Sequence, residues 1–366
     1  MNLINKELFF KFIIIFFSIS FFFILDFLVG KIFFNHHSEF QTITTECKYR
    51  IKHNLYHHTL KSNFSGHGIW GKYKYNICTD KNGFKISCQE YVQKNNDNEY
   101  DIWFIGDSFT EAVGLEYEDS FVGIFDQSNP NLKIANLGVV SYSPSVYFNK
   151  IRYLIENIGL KTKHVIAYID ISDIQDEAVK YSATADFCSS QKMKSSNRSF
   201  YSGLKALIKD HFPLTLTAAM LIRNSIYGEP ALHLEYEYER GGWTYNPNAN
   251  GYGELGINGG IERSLLYMNK LYNLLSEKNI KLSIGVYPWP GQLIHDNANS
   301  RQVEIWKDFC IGKCEYFIDN FNIFFKHVDK TSSKNTIEKF YMDRDVHFNK
   351  EGNRLLAEQL LSQIKF

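Results

Sequence analysis

Apolar and polar positions divide the chain into three stretches of different periodicity. The first is apolar on every face: residues 12–25 read FIIIFFSISFFFIL without a charge, and the run continues toward Phe34 with only Asp26 and Lys31 inside it. Crossing a bilayer core takes about 20 apolar residues, so a transmembrane helix is predicted over residues 12–30. Asp26 then sits near the far interface, where an ionised group costs less than the roughly 2.5–3.5 kcal/mol of the mid-membrane. Lys6 and Lys11 precede the segment and hold that end in the cytoplasm. No small-x-small cleavage pattern comes after it, so residues 1–35 are expected to remain a single-pass anchor in the inner membrane. The rest of the chain then lies in the periplasm or at the cell exterior.

The second stretch, residues 36–99, is polar, aromatic and turn-rich, without helical period. It predicts short strands and loops that form an extension packed on the main domain. Neighbours on a strand face opposite sides, so only one of the adjacent His57 and His58 could serve one side of it.

The third begins near Tyr100. DIWFIGD, NLKIANLG, KHVIAYIDIS, KLSIGVYP and EYFID are short apolar runs, and helical spacing marks residues 145–158, 261–280, 302–310 and 350–364. This alternation predicts a three-layer α/β/α, flavodoxin-like domain over residues 100–366, with a mostly parallel five-stranded sheet. In such sheets ligands bind at the carboxyl ends of the strands. Ser108, Gly138, Asp173 and Pro288 each come just after a predicted strand. Residues 181–260 interrupt the alternation with SSQKMKSSNRSF, a helical stretch near 213–224 and the glycine- and asparagine-rich GGWTYNPNANGYGELGINGG. This insertion is expected to be a lid or substrate-binding element.

Composition narrows the classes. Hydrophobic residues are 44% and charged residues 22% of the 366, enough for a substantial core. The 40 basic and 40 acidic residues cancel, so no nucleic-acid partner is expected. An even number of cysteines suits an oxidising compartment. The local pairs are Cys78 with Cys88, around the turn Asn82-Gly83, and Cys310 with Cys314. No Cys/His cluster has zinc spacing, and neither metal nor organic cofactor is expected.

A strand that ends on Gly106-Asp107-Ser108 is one way to present a nucleophile, and a serine needs a base and a group that orients the base. DRDVHFNKEG supplies them: His347 just before a helix capped by Asn349, and Asp345 two residues earlier, on the same side of an extended segment. Asp343 shares that alternation and is the rival acid. Each residue also has a plainer reading: Ser108 as a helix cap, His347 as a packed core histidine, Asp173 and Asp176 as loop acids, and the YPWPGQ loop as a rigid turn. Trp289 in that loop is also the kind of flat surface on which a sugar ring stacks.

Taken in order, GDSFTEAVG, NLG at residues 136–138, DISD at 170–173 and DVHFNKEG resemble the blocks of the SGNH, or GDSL-like, hydrolases, over about residues 100–366. The resemblance implies Ser108 as nucleophile, His347 as general base and Asp345 as its orienting acid. It implies an oxyanion hole from the N–H groups of Ser108 and Gly138, with Ser172 where the family usually carries Asn in Gly-x-Asn-Asp. Asp170 stands where that block has Gly. Asp107, Asp173, Trp289, Gln292 and Asn246 are candidates for shaping the substrate site. The Asp-x-His spacing looks like the branch related to polysaccharide O-acetyltransferases. The implied function is a membrane-anchored esterase or O-acyltransferase whose partner is an acylated surface glycan. A lipid esterase or thioesterase, a non-catalytic accessory in envelope assembly and a glycan-binding module are the alternatives.

Overall fold

The computed structural model describes residues 3–33, 46–89, 91, 98–180, 240–343 and 345–364, with 212, 214, 215, 218, 221, 222 and 225. They form two compact units, one of residues 1–44 and 189–231, the other of residues 45–188 and 232–366. The insertion expected at 181–260 is therefore divided between the units. The stretch SSQKMKSSNRSF lies outside the described residues.

In the first unit α1 (Leu3–Phe33) contains the apolar stretch Leu8–Val29, of mean hydropathy 2.7. Phe12, Phe17 and Phe21 are exposed at 75%, 64% and 67%, an outward surface that suits acyl chains better than water.

The second unit is a mixed α/β structure around a sheet of eight strands. Five run parallel: β6 (Ile102–Ile105), β7 (Ile134–Asn136), β8 (His164–Ile169), β9 (Lys281–Val286) and β10 (Phe317–Asp319). These are the five expected from the apolar runs. Every residue of β6 and β8 is buried, as both faces of a parallel sheet must be when helices cover it. Pro144–Glu156 packs against Gly256–Glu277, and Phe121–Ser128 packs against Lys350–Gln363. Phe104 of β6 meets the rings of Phe121 and Phe125 in the core.

The extension does more than pack on this domain. Its strands β3 (Ser65–Trp70), β4 (Tyr73–Thr79) and β5 (Lys85–Ile86) continue the sheet, antiparallel, from the β7 edge. β1 (Arg50–His53) and β2 (His57–Leu60) form a separate hairpin. Disulfides join Cys78 to Cys88 and Cys310 to Cys314.

Candidate active site

The nucleophile turn is shaped by a glycine and a cap. A Cβ on Gly106 would lie 2.1 Å from Thr110 Oγ1 and 2.9 Å from the Tyr168 carbonyl oxygen, so the chain can leave β6 this tightly only without a side chain there. Asp107 then caps the short helix Ser108–Glu111, its Oδ1 accepting the Phe109 N–H at 2.9 Å. The capping role thus falls to Asp107. Ser108 Oγ is left within 2.8 Å of His347 Nε2.

His347 and Asp345 meet through a turn, where the spacing had suggested an extended segment. Met342 N–H donates to the His347 carbonyl at 2.8 Å. Asp345 Oδ1 accepts the His347 N–H at 3.0 Å and stands 2.5 Å from its Nδ1. Asp343 faces away: its side chain is 60% exposed and pairs with Lys72. Burial acts to lower the His347 pKa, but the Asp345 charge and hydrogen bond outweigh it and hold the imidazole above its usual range. Burial likewise acts to raise Asp345, and its contacts with His347 and Trp70 bring it below its usual value.

The extension supplies groups that the motifs did not reveal. Trp70 Nε1 donates to Asp345 Oδ2 at 2.8 Å, and its ring stands edge-on to His347 at 5.0 Å between centroids. Arg50, fully buried, holds both oxygens of Glu111 at 2.6 and 2.7 Å. Glu111 Oε2 also accepts the Val140 N–H at 2.8 Å. Lys85 Nζ donates to the carbonyls of Glu111, Ala112 and Leu115, each at 2.9 Å. Glu111 ends the short helix, Ala112 is its cap and Leu115 lies just beyond, so Lys85 gathers the carbonyls of the turn by which the chain leaves the helix. The extension thus braces the nucleophile turn with two buried cations. His57 takes a positive φ of 71°, which breaks the strand alternation, so the two histidines meet, Nδ1 to Nδ1 at 2.8 Å. His58 Nε2 reaches the Val140 carbonyl at 2.7 Å.

The expected oxyanion donors are unequal. The Ser108 N–H is the first of its helix and has no intrahelical acceptor. A Cβ on Gly138 would come within 2.7 Å of the Glu111 nitrogen, which explains the glycine, but the Gly138 N–H donates to Asn136 Oδ1 at 2.9 Å. Ser172 is 3% exposed and gives its N–H to Asp170 Oδ1 at 2.8 Å. Asn246 is engaged within its own turn, with Gly242 and Asn248. Trp289 does not offer a face to a sugar: it is 3% exposed and donates to Asp170 Oδ2 at 2.6 Å. Gln292 is buried too. It accepts the Trp289 N–H and donates to Ser300 and Gln302, so it fixes the loop instead of reaching for substrate. Asp176 pairs with Arg240.

Beside Ser108 lies a group of buried acids: Asp107, Asp170 and Asp173 each place a carboxylate oxygen within 4.8 Å of the others. The spacing would suit a small cation, but five of the six oxygens already accept hydrogen bonds. The donors are Phe109, Tyr287 and Ser108 for Asp107, Ser172 and Trp289 for Asp170, and Tyr147 for Asp173. Only Asp173 Oδ1 has no partner among the described residues. Protons fit this donor set better than a metal. Burial, then the charge of Asp170, pushes Asp107 up to about 7, and burial raises Asp170 and Asp173 as well. Asp107 Oδ2, 3.2 Å from Ser108 Oγ, competes with His347 Nε2 at 2.8 Å for the single hydroxyl proton.

No family model and no curated protein matches the chain. Among solved structures it is similar to a member of the lipolytic G-D-S-L family from Veillonella parvula, at 15% identity over 72% of this chain and 96% of that one, with a TM-score of 0.39. It is similar to an acetylxylan esterase from Geobacillus stearothermophilus at 14% identity, over 72% and 93%, with a TM-score of 0.39. It is also similar to the psychrotrophic esterase EstA from Pseudoalteromonas at 10% identity, over 73% and 96%, with a TM-score of 0.37. Scores this low leave the function to be argued from the site's own residues.

Proposed function

We propose that the chain is a membrane-anchored serine esterase or O-acyltransferase that works outside the cytoplasm on an O-acyl ester of a surface polysaccharide, acetyl being the simplest acyl group. The observation that carries the reading is the unbroken hydrogen-bonded series Ser108 Oγ, His347 Nε2, His347 Nδ1 and Asp345 Oδ1. Ser108 attacks the acyl carbonyl and its proton passes to His347 Nε2, while Asp345 stabilises the imidazolium. The acyl C–O bond breaks as His347 protonates the leaving sugar oxygen. Water, or a second sugar hydroxyl, then gives its proton to His347 and takes the acyl group from Ser108, and His347 returns that proton to Ser108 Oγ as the acyl–Oγ bond breaks. The Ser108 N–H stabilises the oxyanion, and the substrate oxygen competes with Asn136 Oδ1 for the Gly138 N–H.

The Leu8–Val29 stretch supports the anchor, and the disulfides Cys78–Cys88 and Cys310–Cys314 support an oxidising location. The glycan rests on the resemblance of the motifs. One observation favours a second reading, binding without turnover: the Gly138 N–H is committed to Asn136. Release of acetate from acetylated oligosaccharides by the full chain in detergent, beside Ser108→Ala, separates the two. Ser108-dependent release supports an esterase. Folded protein that binds the oligosaccharide but releases nothing supports a binding module.

A further inference from the structure

Asp26 lies in an apolar helix, yet it is fully buried and its carboxylate is engaged. Oδ1 accepts the Leu214 N–H at 2.7 Å, and Oδ2 accepts the Thr215 N–H at 2.8 Å and the Thr215 hydroxyl at 2.6 Å. Residues 214, 215, 218, 221, 222 and 225 are helical, so Asp26 receives the N–H groups that the start of a helix leaves without acceptors. The Phe212 ring stands 5.9 Å from both Phe23 and Phe27, on either side of Asp26 along α1. Away from these contacts, Leu214, Leu221 and Ile222 are exposed at 41%, 65% and 62%.

Residues 212–222 read FPLTLTAAMLI, without a charge, and are followed by Arg223. At helical rise the described helical positions from Leu214 to Ile222 span about 12 Å, too short for the roughly 30 Å of a bilayer core. Asp26 lies three residues from the end of the Leu8–Val29 stretch, about 5 Å along the helix. A short apolar helix tied at that depth matches the boundary between headgroups and acyl chains. Its exposed side chains, like those of α1, are large and apolar.

We propose that the helical positions Leu214, Thr215, Leu221 and Ile222 lie in the outer interface of the bilayer as a second membrane contact, fastened to the anchor by Asp26, with acyl chains covering Leu214, Leu221 and Ile222. The insertion then serves membrane attachment, in place of the lid role expected of it. The inference rests on the anchor reading, and the test keeps the two apart.

The full chain is reconstituted in vesicles of phosphatidylethanolamine and phosphatidylglycerol, with single added cysteines at Ile14, Leu221, Ile222 and Ile311, and exposed to a membrane-impermeant maleimide before and after detergent. The disulfides stay oxidised. Expected is labelling of Ile311→Cys at once, and loss of labelling at Ile14→Cys, Leu221→Cys and Ile222→Cys until detergent is added. Labelling at 221 and 222 as fast as at 311, with 14 protected, overturns the inference and leaves the anchor standing. Labelling at 14 as well overturns the anchor. In the Ile222→Cys background, Asp26→Ala should expose the thiol, whereas Asp26→Asn, which still accepts N–H groups, should keep it protected. Protection that persists in Asp26→Ala overturns the role given to Asp26.

Discussion

Replacing Trp70 by Phe tests whether the extension takes part in the chemistry. The substitution keeps most of the ring and its packing but deletes the Nε1–H that reaches Asp345 Oδ2 at 2.8 Å. Hydrogen bonds to charged groups contribute about 1.5–3 kcal/mol. The Asp345 side chain is 24% exposed, so water restores part of the loss and the lower end applies. About 1.5 kcal/mol corresponds to roughly a tenfold fall in kcat. A merely structural loss would scale the rate equally at every pH. Removing a donor from Asp345 concentrates its charge on His347, so the acid limb of the rate profile should also move to higher pH. The assay is hydrolysis of p-nitrophenyl acetate by the full chain in detergent from acid to mildly alkaline pH. A Trp70→Phe enzyme with wild-type kcat at all pH values, beside an inactive Asp345→Ala, would refute the argument.

Asp345→Asn should lower kcat by up to about 10⁴-fold, the loss such a change causes in a serine-protease triad. Asp343→Asn, which weakens an exposed pairing with Lys72, should leave turnover intact, and the same ester assay ranks the two. The base must be neutral to act, and His347 is held above its usual range by Asp345 against its burial. kcat/KM should therefore fall with decreasing pH through a limb above 6.5, the unperturbed value. Stability has its own pH dependence. Burial drives Lys150 down to about 7 and Lys85 to about 8 from 10.5. Between those values and 10.5 the native lysines are neutral and the unfolded ones charged, so unfolding takes up protons and stability rises with pH across that window. The urea midpoint should be higher near pH 9 than near pH 7, and Lys150→Met should remove part of the difference, as the linkage requires.

The parallel sheet was legible because β6 and β8 are continuous apolar runs bounded by glycine or by a change of period. Ser108, His347 and Asp345 were legible because each sits where a strand or loop meets a helix, and such junctions leave local signs: Gly106 before the turn and Asn349 as a helix cap, which accepts the Gly352 N–H at 3.0 Å. Trp70 was not, because its partner is 275 residues away and nothing in β3 distinguishes a tryptophan that braces an acid from one that packs. Arg50 and Lys85 are similar: a basic residue in a polar strand reads as solvent-facing until its buried acceptors are seen. Trp289 and Gln292 misled for the opposite reason. A loop at the carboxyl end of a strand suggests exposure, whereas the buried Asp170 accepts the indole N–H and draws the ring inward.

The most direct test of the central claim is reaction of the folded full chain with a serine-directed fluorophosphonate, with the modified residue mapped by mass spectrometry beside Ser108→Ala and His347→Ala. An activated nucleophile predicts one adduct, on Ser108, absent from Ser108→Ala and strongly slowed in His347→Ala. Folded protein that takes up no label, or takes it up equally without His347, would contradict the account: Ser108 and His347 would then be neighbours without being a catalytic pair.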